Sequence, residues 1–205
     1  METTKMRKMG VLFGIVVLAL TLTACAKPPQ ADIDGAKAAL EAARTGEAAT
    51  YAQASLRSAE DVLAQLDAEL KAQEDKFALF RSYKKATELA ANLKSAGEKA
   101  LADAKAGKEQ KKNEAQTAIS EAKTMLEEAN GLLATAPTGK GTQADIAAMK
   151  ADLEGVASAL AETDNLFASE KYIDAKAKAD GAKQTIANVK TAIEEAKAAK
   201  AGKKK

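Results

Sequence analysis

The chain has 205 residues and a formal charge of +2 at neutral pH; 46% of its side chains are hydrophobic but only 3% aromatic, with no Trp and no His. Alanine carries much of the hydrophobic share, and with Glu, Lys and Leu it makes the composition of long helices, whereas strands need Val, Ile, Thr and aromatic residues in alternation. An all-α fold is predicted, and catalysis that relies on an imidazole base is excluded.

Residues 1–9 hold Lys5, Arg7 and Lys8, and Gly10–Ala24 is an apolar run of about 15 residues, short of the roughly 20 that a spanning helix needs. A basic start, a short apolar stretch and small residues before a cut describe a secretory signal peptide over residues 1–24. Without Lys5, Arg7, Lys8 and Glu2, the 31 basic and 29 acidic side chains become 28 of each, so the remainder is formally neutral. A neutral body argues against nucleic acid as a partner. Cys25 is the single cysteine, so it has no disulfide partner within the chain and no histidine with which to share a metal. Leu22-Thr23-Ala24-Cys25 resembles the lipobox of bacterial lipoproteins. That resemblance implies cleavage before Cys25, a diacylglycerol on its sulfur and an acyl chain on its amine. Several chains on one residue anchor stably where a single chain does not. Ala26 stands where Asp tends to retain Gram-negative lipoproteins in the inner membrane, which favours the outer membrane, facing the periplasm. Residues 25–31 then form a linker, in which Lys27-Pro28-Pro29-Gln30 is a short polyproline-type spacer.

From Asp32 the apolar residues take helical spacing. Leu56, Ala59, Leu63, Leu66 and Leu70 recur in steps of 3 and 4, and Ile146, Met149, Leu153, Val156 and Leu160 repeat them 90 residues later. Tyr83, Ala86, Ala90, Leu93, Gly97, Ala100 and Ala104 match Tyr172, Ala175, Ala179, Ala182, Ile186, Val189 and Ile193 at an offset of 89. Upstream, Ala36–Ala43 matches Ala122–Ala129, and Gly46 falls against Gly131. Three helices recurring in one order predict an internal duplication: a first three-helix unit at 32–110, a second at 111–200 and a basic tail at 201–205. The expected architecture is an elongated antiparallel helical bundle of two tandem coiled-coil-like units, with a helix running through Gly107 or kinked there. Ser82 and Ser169 are expected N-caps of the third helices. Pro137–Thr142 is the strongest break, and Thr142 to Asp145 a box-like helix start.

The pattern Ala39, Ala43-Arg44, Ala49, Tyr51-Ala52, Leu56, Ala59, Tyr83, Ala86 and Ala90 resembles an uncharacterised family of Ala-rich helical repeats in bacterial envelope lipoproteins. The resemblance implies an envelope location and no known chemistry. It departs at Gln53, where family members often carry Pro after the Tyr-Ala pair.

No catalytic residue, metal ligand or cofactor is predicted. Asp32 and Asp34 read as first-turn helix charges, and Lys84/Glu88, Lys94/Glu98, Lys99/Asp103 and Lys123/Glu127 as i, i+4 pairs in the weaker, lysine-first orientation. Tyr83, Tyr172, Phe80 and Phe167, with Phe77, lie at the connections between helices; they either cap the bundle ends or form a paired docking site for an envelope partner. Lys203, Lys204 and Lys205 form a frayed solvated tail or a contact with anionic cell-wall polymer. A lipidated cysteine, Ala-rich helix and a terminal lysine are also similar to the murein lipoprotein, whose terminal lysine is joined to peptidoglycan; Lys205 matches, and Lys204 departs from it.

Overall fold

The computed structural model describes residues 27–137 and 143–202; the basic and apolar N-terminal run, Cys25, Ala26 and Lys203, Lys204 and Lys205 lie outside them. Among the described residues the fold is all-α with no strand: α1 Gln30–Thr45, α2 Ala48–Tyr51, α3 Gln53–Glu74, a 3-10 turn at Ala78–Phe80, α4 Lys84–Ala134, α5 Gln143–Ala168 and α6 Tyr172–Gly202. The chain divides into two compact units after Lys105, inside α4, against the expected division after residue 110. α4 is a single 51-residue helix and includes Gly107.

In the first unit, α1 and α3 are antiparallel. Lys37 pairs with Asp67 at 3.2 Å and Arg44 with Glu60 at 2.9 Å, so the partner number falls by seven as the position rises by seven. Most of the expected seam is buried: Leu56, Ala59 and Leu66 on α3, with Leu63 and Leu70 half-buried, then Tyr83 just before α4 and Ala86, Ala90, Leu93, Ala100 and Ala104 along it. They meet Ile33, Ala36, Leu40 and Ala43 of α1 in one core. Small residues in the seam let backbones approach closely. At Gly97 the α1 backbone comes close, since a Cβ there would lie 2.8 Å from the Ala39 carbonyl carbon and 2.8 Å from the Leu40 nitrogen. α1 stops at Gly46, whose N–H donates to the Ala42 carbonyl, and Glu47 follows with φ 64. Gln53 takes the first helical position of α3, where a proline would be tolerated.

The second unit contains α4 from Ala106, α5 and α6. Ala122 and Ala129 of α4, Met149, Leu153, Val156 and Leu160 of α5, and Ala182, Ile186, Val189 and Ile193 of α6 share one core. Ala115, Ala118, Ile119, Tyr172, Ala175 and Ala179 form another. The two buried polar side chains among the described residues, Gln73 and Thr163, also stand 90 apart, so the repeat extends to polar positions.

The two expected serine N-caps need correction. Neither serine caps a helix: the first backbone bond of α4 is accepted by the Tyr83 carbonyl and that of α6 by the Lys171 carbonyl. Ser82 instead precedes the cap, and Ser169 sits at the end of α5. Gly131 does not end a helix as Gly46 does, because α4 continues to Ala134. Of the Pro137–Thr142 break, residues 138–142, and with them the expected start at Thr142, lie outside the described residues.

The closure of α5 is a Schellman turn. Lys171 N–H donates to Leu166 O and Glu170 N–H to Phe167 O, which puts Glu170 at the left-handed position with φ 60. A side chain there is strained where glycine is not. Glu170→Gly is expected to stabilise the second unit by about 0.5–1 kcal/mol in chemical denaturation, because the exposed Lys108 pair it removes is worth little. A loss of stability would show that the carboxylate outweighs the backbone strain.

Candidate functional site

The two connections between the antiparallel helices differ although the sequences align with a gap of one residue. In the second unit only Ser169, Glu170 and Lys171 separate α5 from α6. Tyr172 is buried, and the Phe167 ring meets it edge-on at 5.2 Å. In the first unit nine residues separate α3 from α4, Asp75 to Tyr83. Tyr83 is buried, yet Phe77, Leu79 and Phe80 are 70%, 65% and 75% exposed. The Phe77 and Phe80 rings lie 6.3 Å apart and form one apolar tip.

Polar contacts hold that tip in shape. The Ser82 N–H donates to Gln73 Oε1 at 3.0 Å, and Gln73 Nε2 donates to Glu69 at 2.6 Å. Arg81 donates to the Glu74 and Lys76 carbonyls at 2.9 and 3.0 Å, satisfying acceptors at the open end of α3. Gln73, with a contribution from Lys85, holds the Glu69 carboxyl below its ordinary range.

Of the four expected contact residues, Tyr83 and Tyr172 therefore serve as core, Phe167 is half-buried against Tyr172, and Phe80 alone is well exposed. Phe77 and Leu79 complete the exposed group. Leu79 was not among the expected residues; its signal was an apolar residue in a non-helical connection where the second repeat carries Ser169.

A second feature runs along α4 and α6. Lys108 pairs with Glu170 at 2.7 Å, Glu121 with Lys183 at 2.9 Å, Glu128 with Lys190 at 2.9 Å, and Lys197 donates to Thr135 at 3.3 Å. Every rung has a sequence separation of 62, and the last three follow one another by seven, so the two helices are parallel and in heptad register. Glu121 and Asp180 raise the Lys183 pKa, and Lys176 and Lys183 lower that of Asp180. Lys99 pairs with Asp103 as the i, i+4 spacing predicts, whereas Lys123 reaches across to Asp164 on α5 at 2.9 Å. Exposed pairs of this kind contribute about 0–1 kcal/mol each, and their effect here is to select register and direction.

Among the described residues no group of acidic or thiol side chains is placed to hold a metal ion, and no helix is long and apolar enough to cross a membrane. No protein-family model, curated protein or solved structure matches this chain.

Proposed function

We propose that the protein is a non-enzymatic, lipid-anchored component of the bacterial cell envelope, a helical spacer or interaction scaffold held at the outer membrane and facing the periplasm. The observation that carries this reading is Leu22-Thr23-Ala24-Cys25: one cysteine, after a basic and then apolar leader, a few residues before the first helix at Gln30. The helical body supports it, because its interior is used for Ala-rich seams and its surface for lysine–carboxylate pairs.

Cys25→Ser is the test. The variant is expected to accumulate as an uncleaved precursor, to take up no acyl label and to leave the membrane fraction when its leader is removed. Normal processing of the variant would overturn the anchor. A cell-wall tether acting through Lys203, Lys204 and Lys205 is the competing role. It is favoured if the chain stays with detergent-boiled sacculi and truncation of those lysines releases it.

A further inference from the structure

The geometry points to the Phe77–Phe80 tip as a membrane-inserting wedge that docks the first unit onto an anionic lipid surface. Three observations on the molecule lead there. The tip is apolar and exposed although its neighbour Tyr83 is buried, so the chain here directs aromatic surface outward. Its charge is net positive: between residues 69 and 85 five cations stand against three carboxylates, Glu69, Glu74 and Asp75, with Lys85 paired to Glu69 at 3.1 Å. At the equivalent connection of the second unit, residues 161–174, one cation stands against four carboxylates, and Leu79 and Phe80 give way to Ser169 and Glu170. Phe and Leu beside Lys and Arg are the side chains that settle at a headgroup boundary, apolar part inward and cations at the phosphates.

The third observation is position. The antiparallel pairing of Lys37 with Asp67 and of Arg44 with Glu60 puts Gln30 level with Glu74. The Asp75–Tyr83 connection therefore projects from the end of the unit at which the chain enters it, after Lys27-Pro28-Pro29. That end is a few residues from Cys25. The wedge deepens the anchoring reading and relies on it to bring the tip to the membrane: the acyl group holds the chain there, and the tip fixes how the first unit stands on the surface.

The chain has no Trp, so one introduced residue reports alone. Phe80→Trp and, as a water-facing control, Glu170→Trp are placed in the full chain and reconstituted into vesicles of phosphatidylethanolamine and phosphatidylglycerol. The expected result is a blue shift of the Phe80→Trp emission and its quenching by lipids brominated on their acyl chains, with neither at Glu170→Trp. Adding Phe77→Ser and Leu79→Ser is expected to return the emission toward that of the control. Water-like emission from Phe80→Trp in membrane-bound chain would overturn the wedge. A blue shift that brominated lipid leaves unquenched would also overturn it, since protein, a second copy included, would then cover the tip. Acyl labelling of Cys25 in the same preparation reads the anchor separately, so either idea can fail without the other.

Discussion

Gly97→Ala is expected to destabilise the first unit by about 2 kcal/mol, even though alanine is the better helix former by roughly 1 kcal/mol. The cause is the backbone of α1. A Cβ at residue 97 would approach two Ala39 and Leu40 backbone atoms to 2.8 Å and the Ala39 oxygen to 3.0 Å, and backbone cannot swing aside as a side-chain tip can. α1 and α4 must separate, and the contacts of Leu40 and Leu93, both buried, loosen with them. For a unit of this size 1 kcal/mol moves the melting midpoint by about 4–8 °C, so thermal unfolding followed by circular dichroism resolves the change. Gly131→Ala is the matched control: nothing lies within 4 Å of its Cβ position, and the helix-propensity gain of about 0.5–1 kcal/mol stands alone. Equal responses at the two glycines would mean that the close approach does not hold.

The second large effect is at the position that repeats Gly97 in the other unit. Ile186 is fully buried among Ala182, Val189 and Ile193. Ile186→Ala removes its apolar bulk and leaves a cavity that the surrounding helices fill only in part, which costs about 2–5 kcal/mol. The comparison is Ile173→Ala on the same helix, 43% exposed, for which a change within about 0.5 kcal/mol is expected. Urea unfolding of the two variants separates these outcomes. A cost below 1 kcal/mol at Ile186 would show that the seam is loosely filled. The two units use this matched seam position differently: the first closes it by backbone contact at a glycine, and the second fills it with an isoleucine.

Two glutamates with positive φ show the limit of local sequence signals. Both take a conformation usual for glycine; Glu47 follows Gly46, the glycine at which α1 stops, but at Glu170 no glycine announced the turn. The serine caps were misplaced for a related reason. Ser82 and Ser169 have the right chemistry, but the 3-10 turn in one connection and the Schellman turn in the other move the helix starts past them.

Composition and periodicity by themselves determined the all-α class, the order of the helices, the seams and the 90- and 89-residue repeats. Burial of one face imposes a 3.6-residue rhythm on any helix that packs, and that rhythm is written along the chain. The single Cys25 after its apolar run and the C-terminal lysines are likewise features of the sequence alone. Tertiary structure alone decided which connection aromatics turn inward, with Tyr83 and Tyr172 buried and Phe77, Leu79 and Phe80 exposed. It also decided the close approach at Gly97 and the 62-residue ladder between α4 and α6. Each of these depends on the distance and register between helices far apart in the chain. A periodic pattern tells a helix which face to bury, but not which residue of its neighbour will meet it.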